Sequence, residues 1–263
     1  MDLGLKDKSV LVLASSKGLG RATASQFAME GARVFLSSRD ESQLSQTAAA
    51  IREETGNPDV TYSVCDITDG DAIKQLVSKA VREQGPMDVL VNNAGGPPAG
   101  TFDDMKDVDW QGAFELNLLS FVRAIRETLP YMRQQGGGHI LNFASSSIKE
   151  PIDNLILSNT FRAGITGLSK SLSQELAADN ILINTIGPGR IGTDRVDHLD
   201  AVKAEKLNES LAEVKQEAEK QIPAGRYGEP VEFAKTAVFL CSQANTYITG
   251  QSLLVDGGMI KAL

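Results

Sequence analysis

The chain has 263 residues, of which 26 are Lys or Arg and 34 Asp or Glu, giving a net charge of −8 with 41% hydrophobic residues. That size suits one large α/β domain or two small ones with a substantial core. The negative balance and a single tryptophan, Trp110, argue against a nucleic-acid partner, because phosphate neutralisation and aromatic stacking carry such binding.

The opening MDLGLKDKSVLVLA holds too short an apolar run for a signal peptide, and no uncharged stretch approaches the ~20 residues of a membrane span. We therefore expect a cytoplasmic protein with no membrane partner, in which Cys65 and Cys241 are buried free thiols.

The first β-branched run, Ser9–Leu13, predicts a strand. It leads through Ala14-Ser15-Ser16-Lys17-Gly18-Leu19-Gly20 into a helical pattern over Gly18–Glu30. Glycines there allow a tight turn and a close ligand approach, and a helix start offers free N–H groups to a phosphate. Ala14 stands where the first glycine of such a turn usually lies, and its methyl fits if φ is negative. A second strand, Arg33–Leu36, ends in Ser37-Ser38-Arg39-Asp40, where dinucleotide folds meet the adenosine ribose. Arg39 and Lys17 at one corner suit a 2′-phosphate, which favours NADP(H) over NAD(H).

Further strands are predicted over Val60–Val64, Val89–Asn92, Ile140–Phe143, Ile181–Ile186 and Ser252–Val255. Between them lie helical patterns such as Thr68–Gln84, Val108–Arg133 and Ala163–Ala178. Strands that are continuous apolar runs, alternating with helices, predict an α/β class: a single-domain, Rossmann-like, doubly wound parallel sheet of about seven strands, helices on both faces. No linker or repeat divides residues 1–263. A charged stretch, Asp194–Gln221, places Leu207, Leu211, Val214 and Ala218 on one helical face. Following a strand and a Pro-Gly turn, residues 194–225 read either as a helical substrate lid or as a solvated helix.

These motifs together resemble the short-chain dehydrogenase/reductase family, β-ketoacyl-carrier-protein-reductase-like branch, across Lys6 to Gly258. The likeness rests on Asp66-Ile67, Asn92-Asn93-Ala94-Gly95, Asn117, Ser145, Pro188-Gly189 and Val255-Asp256-Gly257-Gly258, in order. It implies that Asp66 and Ile67 hold the adenine and that Asn93, Ala94 and Gly95 pass close under the coenzyme. Gly187, Pro188, Gly189 and Ile191 would lie at the nicotinamide, with Thr193 near its carboxamide or the phosphates. Ser145 would polarise a carbonyl and Asn117 would hold a relay water.

The family's proton donor is a tyrosine 13 residues beyond that serine, followed four residues later by a lysine. Here those positions are Ser158 and Arg162. Serine is a far weaker and shorter acid than phenol, and Arg162 can bond ribose hydroxyls but cannot pass a proton. Lys149, Glu150 and Asp153 in the intervening loop are substitute acids or simply solvated. Tyr62, Tyr131, Tyr227 and Tyr247 lie away from the motif, and neither His139 nor His198 has partners spaced for a metal.

The resemblance thus implies an oxidoreductase interconverting a small carbonyl and alcohol, with Ser145, Ser158, Arg162 and Asn117 at the reaction. The alternative is a catalytically weakened NADP(H)-binding regulatory or scaffold protein. A dehydratase, isomerase or lyase on the same fold is a third, lesser reading. The resemblance also implies a homo-oligomer, dimer or tetramer, built on Val108–Arg133, Ala163–Ala178 and Tyr247–Leu263.

Overall fold

The computed structural model describes residues 1–262; Leu263, the end of the expected oligomer segment, lies outside the described residues. In chain order the elements are β1 (Ser9–Val12), α1 (Gly18–Met29), β2 (Arg33–Ser38), α2 (Glu41–Thr55), β3 (Val60–Val64) and α3 (Gly70–Gln84). They continue as β4 (Val89–Asn92), α4 (Asp107–Phe114), α5 (Ser120–Gln135), β5 (Gly138–Phe143), α6 (Ile156–Glu175) and β6 (Ile181–Pro188). The last are α7 (Asp194–Leu207), α8 (Leu211–Lys220), α9 (Pro230–Leu240) and β7 (Ser252–Val255).

The seven strands form one parallel sheet in the order β3-β2-β1-β4-β5-β6-β7. Side chains alternate between its faces. Val10, Val12, Val34, Leu36, Val89 and Val91 pack against α1, α2 and α9. Leu11, Phe35, Leu90 and Ile140 pack against α3, α5 and α6. Both faces are therefore apolar, which is why the strands read as unbroken runs. The order reverses between β1 and β4, so a crevice opens beyond their carboxyl ends. Both cysteines are buried and free, with burial raising each thiol pKa. Among the described residues no helix is long and apolar enough to cross a membrane.

Two predicted helices differ in detail. The rod expected over Val108–Arg133 is α4 and α5 joined by a π-helical turn, Glu115–Leu119, that contains Asn117. Such turns free main-chain groups inside a helix and recur at functional sites. The single helix expected over 194–221 is broken. Asn208 adopts φ 54°, and Ser210 caps α8 through a reciprocal pair of bonds with Glu213. The apolar row consequently splits: Leu207 and Leu211 are 50% and 49% exposed, while Val214 and Ala218 are buried.

The α7–α8 excursion leaves and returns at one point, where Gly192 N–H donates to Gly228 O (2.9 Å) and Gly228 N–H to Arg190 O (2.9 Å). Inside it, Asp200 is 2% exposed, pairs with Arg190 and accepts from Tyr227 Oη at 2.8 Å. Burial and this bond push the Tyr227 phenol up to about 12, so it donates throughout the working range. Removing Asp200 leaves a half-buried guanidinium and a buried hydroxyl without partners. We expect Asp200→Ala to speed amide hydrogen exchange in α7 and α8 by at least tenfold while β1–β5 keep their protection; uniform exchange would place the effect elsewhere.

Candidate active site at the carboxyl edge of the sheet

The turn after β1 is shaped from within. Ser15 is fully buried: its Oγ donates to Val12 O (2.8 Å) and accepts from Ser37 N–H (3.0 Å), and its N–H donates to Ser37 O (2.9 Å). Both donors of Ser15 are committed to tying β1 to β2. Ser16 O accepts from Thr47 Oγ1 at 2.7 Å. Gly18 sits at φ 56°, and α1 begins at Lys17 with no side-chain cap, leaving its first N–H groups for an anion. A Cβ on Gly20 would fall 2.6 Å from Ala14 O and 2.7 Å from Asn93 Nδ2. That close approach lets Asn93 Nδ2 donate to Ala14 O (3.0 Å), which locks the β1 and β4 loops together. Leu19 packs its side chain on the α1 face of the core.

Ala14 has φ 47°, so the condition under which its methyl fits freely is not met: the turn demands a left-handed residue whatever its side chain. An L-residue there costs about 1–2 kcal/mol, against the ~0.5–1 kcal/mol of chain entropy that glycine loses. We expect Ala14→Gly to raise stability by about 0.5–1 kcal/mol in chemical denaturation; destabilisation would mean the methyl packs usefully.

At the end of β2, Asp40 turns its carboxylate onto the N-terminus of α2, accepting from Gln43 N–H at 3.0 Å. It is thus occupied as a cap. Ser38 Oγ accepts from Asp40 N–H at 3.3 Å, and Arg39 and Lys17 are exposed. Asp66 Oδ1 accepts from Thr68 N–H (2.9 Å) and Oγ1 (2.8 Å). These two bonds, and more weakly the Arg39 charge, hold its carboxyl below the usual range. Ile67 is buried in the core on the α3 face.

Between β4 and β6 a buried polar chain fixes α6. Asn92 Nδ2 donates to Asn142 Oδ1 (2.8 Å), Asn142 Nδ2 to Ser169 Oγ (2.9 Å), and Thr185 Oγ1 to the same Ser169 Oγ (2.8 Å). This network sets the register of the helix that carries Ser158 and Arg162, a turn apart on one face. Arg162 is 5% exposed, donating to Phe143 O (2.7 Å) and Ala94 O (3.2 Å). The guanidinium expected to project toward ribose hydroxyls is thus partly committed, because two strand ends present unpaired carbonyls to it; three of its donors remain. Burial, then the Arg195 charge, lowers its pKa to about 10, so it stays cationic at neutral pH.

Ser145 Oγ accepts from Ser147 N–H at 3.1 Å, and Ser158 lies half-buried in the first turn of α6. Asn117 Nδ2 donates to Gly95 O (2.8 Å), while its buried Oδ1 has no partner. A Cβ on Gly95 would meet nothing within 4 Å, so the crevice is open above it.

The β6 loop closes the other side. Gly187 passes under Ser145, where a Cβ would fall 2.7 Å from Ser145 O. Gly189 is forced by Asp256, whose Cβ would lie 2.5 Å away, and Ile191 is buried against Gly228. Gly189 and Ile191 thus present backbone rather than side chains along this turn, and Pro188 pairs with Val255 at the end of β6. Thr193 Cγ2 lies 3.9 Å from a Gly18 Cβ position, so the first and last loops face each other across the cleft.

Among the described residues no tyrosine bonds Ser145. Tyr227 serves Asp200, Tyr62 and Tyr131 pack at the edges of the two cores, and Tyr247 is 96% exposed. Lys149, Glu150 and Asp153 are on the surface. The residue that sequence reasoning missed is Arg195, in the first turn of α7, whose guanidinium donates to Pro97 O at 3.2 Å and bridges the cleft from the β6 side to the β4 side. Its only signal was its position two residues after Thr193.

A family model described as enoyl-(acyl carrier protein) reductase matches residues 13–260. A 3-oxoacyl-[acyl-carrier-protein] reductase of Thermotoga maritima is 35% identical over 259 residues, covering 97% of this chain and 99% of that one. Among solved structures, L-sorbose reductase of Gluconobacter frateurii, complexed with NADPH and L-sorbose, has a TM-score of 0.95 at 33% identity, with both chains fully covered. An NADPH-bound short-chain oxidoreductase of Pseudomonas aeruginosa containing an atypical catalytic center has a TM-score of 0.90 at 27% identity, covering 99% of this chain and 100% of that one.

Proposed function

Because the chain belongs to the short-chain dehydrogenase/reductase family, we propose that it is an NADP(H)-dependent oxidoreductase interconverting a small carbonyl and its alcohol, with an atypical proton donor. The observation that carries this reading is the cleft itself. An uncapped α1 start, Gly18 at φ 56° and open space above Gly95 suit a dinucleotide. Asn117 bonded to Gly95 O, Arg162 bonded to Ala94 O and Phe143 O with Ser158 one turn before it, and Ser145 after β5 support a reaction centre beside it. The adjacent Arg39, Lys17 and Ser38, with Asp40 turned away as a helix cap, favour a 2′-phosphate over a free hydroxyl. The bound coenzyme supplies or takes the hydride.

The chain's own residues do the rest. Ser145 Oγ donates to the carbonyl oxygen and polarises it. Arg162, anchored on Phe143 O and Ala94 O, keeps a positive charge under the site that favours the developing alkoxide. Asn117 Oδ1, buried and unpartnered, accepts from a relay water. Ser158 stands in the place of the family tyrosine and passes a proton only through such a water, so turnover is slow relative to a phenol-bearing relative. A departure of this kind accords with the Pseudomonas relative's atypical center.

Residues 194–225 act as the substrate lid, hinged where Gly192 and Gly228 bond. Exposed Val108, Phe114, Ile248 and Leu253 on the expected segments support self-association. A second reading, a regulatory NADP(H) binder, is favoured by the same loss of a phenol. Fluorescence titration with NADPH, followed by turnover assays on ketones, β-ketoacyl thioesters and quinones, separates the two. Micromolar binding with oxidation of NADPH supports the enzyme, binding without turnover on any of the three supports the regulator, and no binding removes both.

A further inference from the structure

Carbonyl reduction by itself asks nothing of Arg195, yet this side chain occupies the cleft. Its guanidinium holds Pro97 O at 3.2 Å and lies 3.0 Å from where a Cβ on Gly96 would be, directly beyond the Asn93–Gly95 segment of the site. Arg195 makes no ion pair among the described residues, although Asp194 and Asp197 share its helical turn. A cation in the first turn of a helix also opposes the helix dipole, so the position is not explained by α7's own stability. The nearest consequence of its charge falls on Arg162, itself buried without a carboxylate and held only by carbonyls. Two guanidiniums, neither neutralised, therefore flank the mouth between the ends of β4, β5 and β6 in a protein of net charge −8. A cleft lined by one sign of charge selects the opposite sign in its ligand.

We propose that Arg195 is a specificity-determining residue that binds a carboxylate on the substrate, which makes the substrate class of this site the oxo acids and hydroxy acids. The inference rests on the oxidoreductase reading and deepens it. A carboxylate matches the fork of a guanidinium through two parallel N–H···O bonds, whereas the Pro97 carbonyl offers one acceptor. Substrate entry thus exchanges the Pro97 contact for a stronger one, and because Arg195 sits in the first turn of the lid the exchange docks α7 over the bound acid. A neutral ketone offers no such exchange. The same anion chemistry could come from the pyrophosphate of the coenzyme, and the test separates these sources.

The test uses the full chain saturated with NADP+, which has no hydride to give a ketone, and calorimetric titration with 2-oxobutanoate, 3-oxobutanoate and 3-oxohexanoate, each beside its methyl ester, so that binding is read without turnover; NADPH is titrated separately beforehand. In the unmodified protein at least one acid binds more tightly than its ester. In Arg195→Gln, that acid weakens about 10–100-fold, the range of a charge-assisted pair, while the ester and NADPH change less than twofold. Arg195→Lys recovers part of the acid affinity. Equal losses for acid and ester, or NADPH weakened with the acid-to-ester ratio intact, would assign Arg195 to packing or to the coenzyme and overturn the proposal. Indifference of the unmodified protein to all three acids would overturn it as well. Failure of NADPH itself to bind the unmodified protein would instead strike the oxidoreductase reading, and is recognised before any acid is added.

Discussion

Replacing Ser158 with tyrosine and Arg162 with lysine together raises the NADPH-dependent reduction of simple ketones by about 10²–10⁴-fold, the span that a positioned general acid contributes. The two positions lie one turn apart on the same face of α6, and the Asn92–Asn142–Ser169–Thr185 network holds that helix in place, so new side chains there inherit a fixed orientation. A phenol at 158 reaches farther than the serine hydroxyl. A lysine at 162 gives up the two-carbonyl anchorage of the guanidinium but lends a charge that lowers the phenol's pKa below its ordinary value of about 10.

Arg162→Lys alone is expected to give no gain, since the acid is still missing. It loses stability instead, because one of the Phe143 and Ala94 carbonyls is left without its donor. The pH profile carries an independent sign. Reduction needs the phenol protonated, so kcat/KM of the double variant falls as pH rises through the new pKa, whereas the unmodified protein shows no such limb. A double variant that binds NADPH normally yet reduces no ketone faster would show that the missing phenol is not what limits the chemistry.

Arg39→Asp weakens NADPH by about 10–100-fold, which is the loss of a charge-assisted bond to phosphate combined with like-charge repulsion. NADH changes by no more than a few-fold, because a 2′-hydroxyl tolerates or welcomes the new carboxylate. The position is a clean probe. Arg39 is exposed, Asp40 beside it is already held by the N-terminus of α2, and the folded core does not use either side chain. Paired fluorescence titrations at constant ionic strength measure the ratio, and equal losses for the two coenzymes would remove the 2′-phosphate from this corner.

Strand–helix alternation was legible throughout. Every predicted strand is present with its ends shifted by two residues or fewer, because runs such as SVLV and VLVN are buried on both faces and cannot hide in a polar pattern. The helix breaks were less visible. The stop at Asn208 depends on a left-handed residue and on the Ser210–Glu213 cap, a local signature that the apolar row Leu207–Leu211–Val214–Ala218 masked. The π turn around Asn117 had no sequence signal of its own, since its cost is met by packing against α6.

The site divides along the same line. Composition and the order of the motifs determined the fold class and the family, and the spacing from Ser145 to Ser158 and Arg162 carries the proposed atypical proton donor, all of which are readings of covalent order. Only the tertiary structure decided that Ser15 faces inward, that Ala14 is left-handed, that Asp40 caps a helix, that Arg162 hangs between two strand ends and that Arg195 crosses the cleft. The reason is physical. A polar side chain takes whichever donor or acceptor the packed backbone leaves unpaired, and such partners can lie far along the chain, 98 residues apart for Arg195 and Pro97, where no local pattern can announce them.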